Sequence, residues 1–66
     1  MKNRLRVFRA ERHWSQEELG LRVGVSRQAI NAVETGKFDP SLPLAMKIAR
    51  TFATTIEIIW ELEDGD

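Results

Sequence analysis

QEELGLRVGVSRQAINAV, residues 16–33, is the stretch that decides the fold. With Gln16 as the first position, apolar residues fall at the fourth, eighth, tenth, fifteenth and eighteenth places (Leu19, Val23, Val25, Ile30, Val33) and glycines at the fifth and ninth (Gly20, Gly24). Two apolar runs at helical spacing, parted by a glycine and a serine, read as two short helices joined by a tight turn. Gly24 stops the first, because a residue without Cβ tolerates the positive φ just past a helix end. Ser26 offers a side-chain oxygen to the orphan N–H groups of the second. Helices that cross steeply need a tiny residue where they meet, which is the place of Gly20. The second helix then stands proud of the body, with Ile30 and Val33 inward and Arg27, Gln28 and Asn31 outward, Ala32 beside them.

Working outward, helical punctuation repeats and strand alternation is almost absent. Leu5 and Phe8 lie three apart in the basic stretch Lys2–Arg12, so a first helix can turn both toward a core, and His13 ends it in a left-handed conformation. Ser15 and Glu18 are spaced as a capping box, each side chain serving the other's backbone N–H. Downstream, Gly36 supplies a second stop and Asp39-Pro40 forces an extended step. Ser41 caps a fourth helix with Pro43 in its first turn and Ala45, Ile48, Ala49 and Phe52 on one stripe. Thr55 caps a short fifth helix with Ile56 and Ile59 inward. The acidic end, Glu61–Asp66, is expected to fray or to form a short strand.

Composition narrows the function. A chain of 66 residues is one domain that buries only about 60% of its unfolded surface. It has no cysteine, hence no disulfide framework and no thiolate metal site. No apolar run nears the ~20 residues of a membrane helix, and the N-terminus lacks a signal-peptide core, so a soluble, cytoplasmic protein with no membrane partner is expected. The formal net charge is zero, which alone opposes a nucleic-acid partner, since phosphate neutralisation dominates such affinity. The average conceals a split of +5 over residues 1–50 and −5 over residues 51–66, a basic working surface with an acidic tail. His13 is the only histidine and has no second ligand in a plausible array, so no metal is expected. Glu17 and Glu18 are adjacent and point apart, and no nucleophile pairs with a base. No enzyme, cofactor or small-molecule site can be assembled.

The stretches WSQEELGLRVGVSRQAINAVETGKFDPSL and PLAMKIARTFATTIEIIW, with Leu5, Phe8 and Arg9, cover nearly the whole chain. Their spacing, caps and glycine-lysine turn resemble the Cro and lambda-repressor type of helix-turn-helix family, also called the xenobiotic-response-element family. The match is to small single-domain members with a short C-terminal tail. Gly20 stands where alanine is usual and His13 where glycine is usual. The resemblance implies an all-α, five-helix domain over residues 1–66, with its helix-turn-helix core at 16–35 and a dimerisation and tail region at 54–66. It further implies a short two-stranded ribbon joining the termini, between Met1–Asn3 and Trp60–Glu63, which the alternation of Trp60 and Leu62 with Glu61 and Glu63 supports.

The implied function is sequence-specific binding of double-stranded DNA, on a palindromic operator, by a homodimeric transcriptional repressor. Arg27, Gln28, Asn31 and Ala32 would read bases: arginine suits guanine, glutamine and asparagine suit adenine, and a methyl suits thymine. Gln16, Ser26, Thr35, Lys37, Ser41 and the amides after Ser41 would hold phosphates, setting register. Arg9 and Glu34 would form a largely buried ion pair tying the first helix to the third, and Trp14 would lie in the core facing Phe8 and Leu19. Thr54, Thr55, Ile56, Ile58 and Ile59 would form the dimer interface, where an apolar Ile58 on a short acidic helix points to a partner. The alternative is an antitoxin-type interaction module that binds a toxin and regulates itself through DNA. Fold alone does not separate the two.

Overall fold

A computed structural model describes residues 1–63, and the last part of the tail lies outside them. The order is β1 (Lys2–Asn3), α1 (Leu5–Arg12), α2 (Gln16–Val23), α3 (Arg27–Glu34), α4 (Leu42–Thr51), α5 (Ile56–Ile59) and β2 (Trp60–Glu61). All five expected helices form. The ribbon also forms, antiparallel and shorter than expected, pairing Lys2 with Glu61 and Asn3 with Trp60. Opposite charges thus face each other at one rung. Lys2 and Asn3 enter this ladder and Arg4 N–H bonds Ile59 O at 2.9 Å, so the first helix starts at Leu5.

The caps follow the residues that predict them. Ser15, Ser26 and Ser41 accept from the backbone N–H of Glu18, Ala29 and Leu44. His13 adopts φ 58° and closes α1, its own N–H bonding Ala10 O and that of Trp14 bonding Arg9 O. Two expected caps are corrected. The Glu18 carboxylate turns to Arg22 Nε at 2.9 Å, an i,i+4 partner that competes with the reciprocal half of the capping box. Thr55 sits at the N-cap of α5 without a side-chain hydrogen bond.

Leu5, Leu19, Ile30, Val33, Ile48 and Ile59 are fully buried, joined by Val23, Ala45, Ala49, Phe52 and Trp60. Phe52 is the aromatic centre, with Phe8 and Trp14 each 5.3 Å away between ring centroids. Trp14 is therefore only half-buried, and its ring meets Phe52 rather than Phe8. Arg22 lies 4.0 Å from its centroid, so a cation covers the face that the small core leaves open.

The α2–α3 crossing is closed by backbone. A Cβ built on Gly20 would lie 2.5 Å from the carbonyl oxygen of Val25. Alanine at a helical glycine ordinarily gains about 1 kcal/mol in propensity, but forcing atoms into a packed contact costs about 1–3 kcal/mol. Gly20→Ala should therefore lower the urea midpoint with an unchanged m-value, a net loss of about 1 kcal/mol. A higher midpoint would show that the turn yields freely.

Candidate nucleic-acid interface

α3 is eight residues long, about 12 Å at 1.5 Å per residue, the width of a DNA major groove. Ile30 and Val33 pin one side of it to the core. Arg27, Gln28 and Asn31 are exposed on the other side and Ala32 is half-buried.

Three anchors hold α3 in place. The first is the expected ion pair: Arg9 Nε and Nη2 donate to Glu34 Oε2 and Oε1 at 2.5 and 3.0 Å, with only 15% and 4% of the two side chains exposed. Arg9 Nη1 also donates to Trp14 O at 2.8 Å. The hydrogen bonds from Arg9 to Glu34 raise the arginine pKa above its ordinary value, against the opposing effect of burial. A base with a raised folded pKa keeps its contribution below the unfolded pKa and loses it as pH rises through the folded one. Arg9 thus remains charged across any working pH. The second anchor is Asn3, which the sequence reading missed. Its Nδ2 donates to Val33 O at 2.9 Å and Glu34 O at 3.4 Å, while its Oδ1 accepts from Leu5 N–H at 3.2 Å. One side chain caps the end of α3 and the start of α1. The available signal was an asparagine two residues before a helical run, a spacing at which Asn bonds the backbone. The third is Gln16, whose Nε2 donates to Asn31 Oδ1 at 3.1 Å and Glu34 Oε1 at 3.3 Å.

The residues expected at phosphates differ in what they can offer. The oxygens of Ser26 and Ser41 accept cap bonds, which leaves each O–H proton to donate outward. Lys37 is exposed directly beyond α3, held by its N–H on Ala32 O at 3.1 Å. Thr35 directs its hydroxyl to Asn31 O and Ala32 O at 3.0 and 3.3 Å, so a phosphate would have to turn it. Of the amides after Ser41, Pro43 has none and that of Leu44 serves the cap, leaving Leu42. Gln16 is turned inward to its two partners.

A separate surface lies around α5. Ile58 is 52% exposed, whereas Ile59, expected at the dimer interface, is corrected to a core residue buried with Trp60 in the chain's own interior, so of the tail's apolar residues Ile58 and Leu62 face outward and Trp60 does not. A shallow groove of about 420 Å³ between α4 and α5 is lined by Met46, Arg50, Thr54, Thr55, Ile56 and Glu57, among others, whereas Ile58 lines a different hollow with Lys2, Arg4 and Glu61.

Two short helices at a glycine turn, the second presented outward on a fixed base, define a helix-turn-helix domain. The comparison with known proteins agrees. Residues 5–59 match the helix-turn-helix family of Cro/C1 type, and the chain belongs to it. It is 52% identical over the full length of both chains to an uncharacterized HTH-type transcriptional regulator of Methanocaldococcus jannaschii. A protein of the same description from Archaeoglobus fulgidus is 48% identical over all of this chain and 93% of its own. YgzD of Bacillus subtilis, also so described, is 45% identical over 97% of each.

Proposed function

We propose that this protein is a DNA-binding transcriptional regulator that acts in the cytoplasm as a homodimeric repressor on a palindromic operator. The observation that carries the reading is the outward face of α3, where Arg27, Gln28 and Asn31 lie together on a helix fixed by the Arg9–Glu34 pair and Asn3. Matching relatives of nearly equal length are described as uncharacterized HTH-type transcriptional regulators, which supports a role in transcription. Selection from a pool of random duplexes should recover a two-fold sequence whose half-sites lie about one turn, 34–36 Å, apart. Added protein should then lower transcription from a template carrying that sequence. Recovery of no common sequence would sink the proposal.

We place the dimer on Thr54, Thr55, Ile56 and Ile58, of which the first three line an apolar groove and Ile58 is an exposed isoleucine on the same short helix as Ile56. Arg50 and Glu57 in the same groove give it both charges, as a two-fold, self-complementary contact requires. Ile58→Glu would place two carboxylates at that contact. Sedimentation should show a dimer for the wild type at micromolar concentration and a monomer for the variant. A wild-type monomer under those conditions would remove this interface.

A further inference from the structure

The Glu34 carboxylate accepts three side-chain hydrogen bonds, and that fixes the polarity of every group attached to it. Arg9 has only donors and Glu34, when ionised, only acceptors. The Gln16 atom facing Glu34 Oε1 at 3.3 Å is therefore its NH2 group. The second proton of that NH2 goes to Asn31 at 3.1 Å, so the Asn31 atom facing it is Oδ1. Donor and acceptor thus alternate without choice from the buried arginine to the exposed asparagine. The chain ends on Asn31 Nδ2, a pair of donors with no protein partner among the described residues, on the exposed side of α3.

Resting on the proposal that α3 reads DNA, we propose that Gln16 is a positioning residue that locks the Asn31 amide, so that Asn31 offers donors to the groove and selects guanine. An unconstrained asparagine grips adenine with both ends, Oδ1 accepting from N6 and Nδ2 donating to N7. The bond from Gln16 takes one of the two lone pairs of Oδ1 and holds that oxygen toward α2, so adenine N6 must share it or pull it away, and the two-ended grip on adenine is weakened. Guanine presents two acceptors, N7 and O6, and no donor on that edge. Cytosine presents a donor and is rejected, and thymine presents the single acceptor O4 beside its methyl, one acceptor fewer than guanine. Gln16 thereby acts on sequence choice rather than on register, unlike a residue that holds a phosphate.

The test measures binding to duplexes carrying each base pair at every operator position, for the wild type, Gln16→Ala, Asn31→Ala and the double variant. Gln16→Met, which keeps the length without the amide, serves if Gln16→Ala melts lower than the wild type. The wild type should prefer guanine at one position per half-site, and Asn31→Ala should erase that preference. Gln16→Ala should lower the guanine-over-adenine ratio at the same position by about five- to tenfold, well beyond any change at the other positions. The double variant should discriminate no less than Asn31→Ala alone. An equal loss on every duplex would make Gln16 a phosphate contact, and no change, or adenine preferred at that position, would likewise overturn the inference. If the wild type shows preferences elsewhere but Asn31→Ala alters none of them, the inference falls and DNA reading by the other residues stands. A wild type that binds every duplex equally would fail the functional proposal itself.

Discussion

Replacing Glu34 with alanine should cost about 3–5 kcal/mol of folding stability, the penalty for leaving one member of a buried ion pair uncompensated. The side chains of Arg9 and Glu34 are 15% and 4% exposed, so water replaces the lost carboxylate only in part. A chain of 66 residues is stable by only about 3–10 kcal/mol at 0.05–0.15 kcal/mol per residue. The variant should therefore lose about a third or more of that margin, which at the low end of the range brings it to its unfolding midpoint without denaturant. Removing both charges is a different experiment. Arg9→Leu with Glu34→Leu leaves no orphan charge, and apolar replacement of a buried pair is often neutral. The double variant should accordingly recover most of the loss. Urea unfolding of the three proteins reads this directly. A loss below about 1 kcal/mol for Glu34→Ala would mean that the pair behaves as a surface contact.

Residues 16–33 made most of the fold legible, because glycines and serines mark helix ends by mechanisms that need no partner. Gly24 supplies φ 80°, and the three serine caps close on their own next turn. What the sequence hid depends on distant groups. The capping box failed because Arg22, one turn along, competes for Glu18. Asn3 was invisible as an anchor because its acceptors, Val33 and Glu34, lie 30 and 31 residues away. Ala53 takes φ 55°, a conformation that disfavours a residue with a Cβ. It holds there because its N–H and that of Thr54 reach back to Arg50 O and Ala49 O and close α4. The same holds at the site. Exposure of Arg27, Gln28 and Asn31 followed from helical period, but the link from Gln16 to Asn31 needs two helices at a known distance.

Gln28→Ala and Lys37→Ala should weaken DNA binding in two distinguishable ways. Gln28 is exposed in the first turn of α3, where the end of a helix entering the major groove meets base edges. Its amide can pair with one base edge, so its loss should cost about 1–3 kcal/mol per half-site on the cognate operator and little on random DNA. Lys37 offers a point charge beyond the other end of the helix, on a backbone turned by Gly36 at φ 79°. Its loss should weaken cognate and random DNA alike and reduce the slope of log affinity against log salt by about one. In a dimer each substitution acts twice, so the effects on a full operator approach double these single-contact figures. Binding curves on both DNAs at several salt concentrations separate the two. The specificity ratio should fall for Gln28→Ala at constant slope, and the slope should fall for Lys37→Ala at constant ratio. Equal losses on both DNAs for Gln28→Ala would mean that α3 does not enter the groove by its N-terminal turn, and the assignment of Arg27, Gln28 and Asn31 to bases would fail with it.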